Sequence, residues 1–114
     1  MQPIDKNTSS HYIWGNNCDS WVFTESDTLS VKQERMPPGT SEKLHYHAKA
    51  EQFFYILKGS ASFTIEDEKH TVLQNQGISI PAKANHKILN ETNTDLEFLV
   101  ISSPGTHEDI INME

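Results

Sequence analysis

Gly39-Thr40-Ser41-Glu42-Lys43-Leu44-His45-Tyr46-His47-Ala48-Lys49-Ala50-Glu51-Gln52-Phe53-Phe54-Tyr55-Ile56-Leu57-Lys58-Gly59 is the stretch whose reading decides the fold. His45 and His47 are two apart. On a β-strand, where side chains alternate between faces, both imidazoles point to one side and can share a metal ion. Glu51 and Gln52 open an apolar run, Phe53 to Leu57, that reads as a buried strand ending at Gly59. In that strand Gln52, Phe54 and Ile56 share the histidine side. Phe53, Tyr55 and Leu57 face outward and need a second sheet or subunit over them.

The same alternation extends in both directions. Upstream, Trp21-Val22-Phe23 starts a short strand, and residues 29–36 form another that stops at Pro37-Pro38-Gly39. Downstream, Ala61, Phe63 and Ile65 alternate with polar residues, and 60–73 reads as a hairpin turning at Asp67-Glu68-Lys69. Ile78 to Ile80, His86 to Asn90 and Leu96 to Ser102 are further strands, closed by Pro81 and by Pro104-Gly105. No segment sustains helical spacing. Eight or nine short strands with a turn about every ten residues predict an all-β sandwich or barrel, with a jelly roll as the small architecture that surrounds one shallow cavity. Residues 1–11 are polar and read as an N-terminal extension, frayed or held by a neighbouring subunit.

The 114 residues suit a single domain spanning 1–114, with no room for a separate cofactor domain. Sixteen acidic against nine basic side chains, with no cluster of Lys and Arg, argue against nucleic acid and anionic membranes as partners. The longest apolar run is five residues, far below a membrane span. The first residues lack the features of a secretory signal and Cys18 stands alone, so the expected location is cytoplasmic. Nothing indicates a Ser/His/Asp triad, a Cys nucleophile, a phosphate loop or a paired-carboxylate glycosidase.

A second informative stretch runs from Asn75 to Asn90. With both stretches in view the chain resembles the cupin superfamily, whose first motif is G-x5-H-x-H-x3or4-E-x6-G and whose second is G-x5-P-x-G-x2-H-x3-N. Gly39, His45, His47 and Gly59 fall on the first motif; Pro81, His86 and Asn90 fall on the second. The likeness covers about residues 29–102. Three positions depart from it: Gln52 stands where the family has a glutamate ligand, and Asn75 and Lys83 replace glycines.

The resemblance implies a metal site of His45, His47, His86 and a fourth ligand. Alternation assigns the fourth to Gln52, through its amide oxygen; a bulge in the strand would instead bring in Glu51. The expected cofactor is one divalent transition metal, among Zn, Ni, Fe, Cu and Co. His11, His70 and His107 lack motif support: His70 is expected to face solvent, His11 and His107 to lie in loose termini, and His107 reaches the cavity mouth only if the C-terminal segment folds back. Phe53, Phe54, Tyr55 and Phe63 read as core packing. Glu34 and Arg35 alternate faces and are expected on a solvated rim.

Two functions follow from the resemblance. One is a metal-dependent cupin acting on a small oxygen-rich molecule, as a dioxygenase or an isomerase. The other is a non-catalytic module that binds a small ligand, its metal structural or absent. The outer trio Phe53, Tyr55 and Leu57, with Trp14 and Trp21, points to a homodimer.

Overall fold

Alternating inward and outward residues shape every strand of the computed structural model, which describes residues 1–105 and 109–114. Among them are eleven strands: β1 (Ser10–Trp14), β2 (Cys18–Glu25), β3 (Ser30–Met36), β4 (His45–His47), β5 (Glu51–Lys58), β6 (Ala61–Ile65), β7 (Glu68–Val72), β8 (Gly77–Ile80), β9 (His86–Leu89), β10 (Leu96–Ser103) and β11 (Ile110–Asn112). They form two antiparallel sheets, a six-stranded one in the order β1-β2-β3-β10-β5-β8 and a five-stranded one in the order β11-β4-β9-β6-β7. This is the jelly roll expected from the strand pattern. No helix among the described residues is long and apolar enough to cross a membrane.

The core lies between the sheets. Met36, Ile56, Phe63, Ile88, Leu96 and Phe98 are fully buried, and Phe54 packs its ring 5.0 Å from Phe63 and 5.7 Å from Phe98. Burying each such side chain contributes about 1.5–3 kcal/mol. Polar side chains, among them Glu34, His45, His47, Gln52 and His86, are buried between the same sheets.

The structure adds detail at three places. Residues 10–14 pair as β1 with β2, from Ser10↔Val22 to Trp14↔Cys18, and Lys6 reaches Glu97 at 2.9 Å while lying over the Trp21 ring, although residues 1–8 are exposed. The C-terminal segment does fold back, as β11 against β4, with Ile110 opposite His47. Both strands are short and mostly exposed, so neither carries the apolar alternation that reveals a strand. The β6–β7 turn is tighter than expected. Glu66 and Asp67 both have positive φ, at 48° and 68°, as a two-residue hairpin loop of matching twist requires, so Glu68 and Lys69 already belong to β7.

The motif turns follow from backbone geometry. At Gly59 φ is +87° and a Cβ would stand 2.8 Å from the Asp95 carbonyl oxygen, so only glycine fits. Asn75 and Lys83, which replace glycines of the second motif, hold the left-handed conformation a glycine would adopt, with φ of 66° and 71°.

Candidate metal centre

The two histidines of β4 point inward from the five-stranded sheet, and His86 stands directly opposite His45 on the neighbouring β9. All three are buried, at 4%, 4% and 1% exposure. The turn between β8 and β9 is tied to this group by the Lys83 amide, which donates to the His47 carbonyl at 2.8 Å. Gln52 approaches from β5 of the facing sheet, where it pairs regularly with Ser102 on one side and Ile80 on the other. The site therefore bridges the two sheets.

Each imidazole offers a nitrogen within 4.8 Å of the others. Tautomers follow from the backbone. His45 Nδ1 donates to the Lys43 carbonyl at 2.7 Å, and His86 Nδ1 donates to the Ala84 carbonyl at 3.0 Å. In the neutral ring this leaves each Nε2 as a bare lone pair. His47 is buried with neither ring nitrogen hydrogen-bonded among the described residues. Gln52 donates its amide N–H to Ser102 Oγ at 3.1 Å, which aims its Oε1 at His86 Nε2, 3.1 Å away. Two acceptors facing each other without a proton between them are electrostatically unfavourable unless a cation lies close to both.

Burial also keeps these rings neutral. It lowers the pKa of His45; it brings His47 down to about 4, helped by the neighbouring His45, and His86 to about 4. Neutral imidazole is the metal-binding form. Three such nitrogens and an amide oxygen make a donor set suited to a divalent transition metal.

A cavity of about 220 Å³ opens beside this cluster, lined in part by Trp14, Lys32, Glu34, Glu42, His45 and His47. Glu34 corrects the sequence reading: it is 8% exposed and faces the cavity, whereas Arg35 points outward and pairs with Asp19 at 2.6 Å and Asp95 at 3.4 Å. Burial, and then the charge of Glu42, push the Glu34 carboxyl up to about 7. Glu42 is half-buried, and desolvation pushes it up to about 7 as well, against a hydrogen bond from the Ile88 amide at 3.1 Å. Sequence reasoning missed this carboxylate pair because Glu42 lies in a loop whose position depends on sheet closure. The buried strand position of Glu34, in phase with Met36, was the available signal.

The remaining candidates lie elsewhere. Glu51 is exposed on the opposite face of β5 from Gln52. His11 is not in a loose terminus; it sits on β1 and bonds Asp19 at 2.7 Å. His70 is partly exposed, 3.8 Å from Glu68. His107 lies outside the described residues. Asn90 is buried and structural: its amide donates to the Met36 and Thr94 carbonyls at 2.9 and 2.8 Å, bracing the turn after β9. Phe54 and Phe63 are core as expected, but Phe53 is 38% exposed.

A family profile described as "Cupin domain" matches residues 32–102. An uncharacterized protein, MJ1618 from Methanocaldococcus jannaschii, is 38% identical over 81 residues, covering 70% of this chain and 65% of the relative. An oxalate-binding protein from Thermotoga maritima is 34% identical over 77 residues, covering 59% of this chain and 55% of the relative. The chain thus spans less than two thirds of either relative's length. Among solved structures, the polyketide cyclase RemF from Streptomyces resistomycificus superposes with a TM-score of 0.85 at 18% identity, covering 100% of this chain and 86% of that one. A cupin-superfamily sugar phosphate isomerase from Silicibacter pomeroyi gives 0.78 at 19%, covering 90% and 75%. At these identities the structural likeness is one of fold.

Proposed function

The chain belongs to the cupin family, and from that premise we propose that His45, His47, His86 and Gln52 hold one divalent transition metal that binds a small oxygen-rich molecule in the adjoining cavity. One observation carries this reading: three buried imidazoles, two with their Nδ1 spent on backbone carbonyls, converge with an amide oxygen that has no donor to accept from. The acceptor pair at Gln52 and His86, and the unpartnered ring of His47, are the features a bound cation would relieve.

Such a metal, when bound, would supply Lewis acidity undiminished by any anionic ligand to the oxygens of the small molecule. The chain itself does the rest. Lys32 donates to the Tyr12 hydroxyl at 3.1 Å and keeps a positive charge on the cavity wall. Trp14 contributes an indole N–H that is buried without a partner among the described residues. A small molecule with two adjacent oxygens and a negative charge matches these features. The names of two similar proteins, an oxalate-binding protein and a sugar phosphate isomerase, are compatible with that class.

The test is a thermal-shift panel of small dicarboxylates, 2-oxo acids, hydroxy acids and neutral polyols, run on zinc-loaded and chelator-treated protein. Stabilisation by the charged chelating members, only in the loaded protein, supports the proposal. Stabilisation that ignores the metal favours the alternative of a binding module whose metal is structural or absent.

We also propose that two copies pair through the outer face of the six-stranded sheet. Phe53 stands opposite Ile101 and Tyr55 opposite Leu99 across β5 and β10, and Val31 continues the apolar patch on β3. Trp14 takes no part, because it turns inward to the core and cavity.

A further inference from the structure

The inward row of β3 is Ser30, Lys32, Glu34 and Met36. A glutamate in such a row is costly unless paired, and Met36 shows that the same face accepts an apolar side chain. Glu34 has the hydroxyl of its cross-strand neighbour Ser20 beside it, a contact that lowers its pKa against the larger effect of burial. The nearest guanidinium in sequence, Arg35, is on the other face and committed to Asp19 and Asp95. Glu34 thus lines the cavity that His45, His47 and Gln52 line from elsewhere, with no Lys or Arg side chain bonded to it among the described residues.

The groups that face this cavity from each packed element divide by role. Glu42, from the loop before β4, has one oxygen committed to the Ile88 amide. Lys32 on β3 and Tyr12 on β1 hold each other at 3.1 Å. Cys18 on β2 is buried near Glu34, and His45 and His47 on β4 belong to the metal cluster. Of the two carboxylates, Glu34 has no backbone amide bonded to it among the described residues, whereas Glu42 accepts from Ile88.

We propose that Glu34 is the proton-transfer residue of this cavity, removing a proton from the carbon beside the carbonyl of a small 2-oxo acid whose carboxylate is recognised by Lys32. The proposal rests on the metal reading above. A Glu34 oxygen forms a bond to the proton; the C–H electron pair becomes the C=C bond of an enolate, and the carbonyl π pair moves onto oxygen. The protonated Glu34 then returns a proton to the same carbon, or to the enolate oxygen to give the enol. No electrons enter or leave, so the step needs no oxidant. A carboxyl near neutrality suits both halves of the cycle.

The experiment follows the methyl protons of pyruvate by proton NMR in D2O with zinc-loaded protein. Wild type should exchange them faster than free zinc at the same concentration. Glu34→Gln should slow exchange about 100-fold, with zinc content and pyruvate affinity by calorimetry unchanged within about twofold; Glu34→Asp should restore part of the rate. Lys32→Met should weaken pyruvate binding about tenfold or more by calorimetry; unchanged affinity would overturn its role in recognising the carboxylate. If wild type holds no zinc, the metal reading fails and takes the proposal with it. If zinc and pyruvate bind but wild type does not exchange, or Glu34→Gln exchanges at the wild-type rate, the role of Glu34 is overturned and the metal reading stands.

Discussion

Oε1 of Gln52 and Nε2 of His86 stand 3.1 Å apart, two acceptors from opposite sheets pointed at each other. The arrangement follows from commitments further out: Ser102 takes the Gln52 amide N–H, and the Ala84 carbonyl takes the His86 Nδ1 proton. Without an ion the amide can relieve the conflict by turning over, donating to His86 and accepting from Ser102. With an ion the observed orientation is the favourable one.

Gln52→Glu should therefore tighten metal binding, by about tenfold or more, because a carboxylate adds charge to the donor set with little change of shape. Glu51→Gln, on the exposed face, should leave affinity unchanged. Competition titrations with a chromophoric chelator measure both. If Glu51→Gln strips the metal, the strand places its carboxylate inward in solution and the Gln52 assignment is wrong.

Glu34 makes stability depend on pH. Its folded value of about 7 lies above the ordinary 4.5. The folded state thus binds more protons between these values; the contribution is fully present below about pH 4.5 and lost as pH rises through 7. Glu34→Gln removes that loss. Urea titrations should show the variant gaining on the order of 3 kcal/mol over wild type between pH 4.5 and 8. A constant difference across this range would mean that Glu34 titrates normally.

Lys83 occupies a left-handed position at φ 71°. Lys83→Gly should raise stability by about 1 kcal/mol, since the β-carbon strain outweighs glycine's extra freedom in the unfolded chain. Urea denaturation would detect this. Lower stability would show that the lysine side chain contributes more than its backbone costs.

Much of this site was legible because β5 is regular. Its alternation placed Gln52 with Phe54 and Ile56, and no bulge interrupts its pairing from Glu51 to Tyr55. His45, His47 and His86 were equally legible, since strand period and motif spacing are local properties. Glu34 and Glu42 were not, because they meet only when the two sheets close. Nor were β1 and β11: Ser10–Trp14 and Ile110–Asn112 are edge strands, defined by the neighbours they pair with rather than by a buried face.

The outer face of the six-stranded sheet predicts pairing. Phe53 is 38% exposed, with its ring over Gly77, where an added Cβ would lie 2.3 Å from it. Light scattering at about 50 micromolar should give twice the chain mass for wild type. Phe53→Lys with Ile101→Lys should give a monomer with unchanged metal content. A monomeric wild type at that concentration would refute this interface.

The central claim is one metal per chain at His45, His47, His86 and Gln52. Its most direct measurement is elemental analysis of protein purified without chelators, wild type beside His45→Ala, His47→Ala and His86→Ala, each shown folded by circular dichroism. The account predicts about one equivalent of a divalent transition metal in wild type and a loss of at least tenfold in each variant. Equal metal in wild type and the three variants would contradict it.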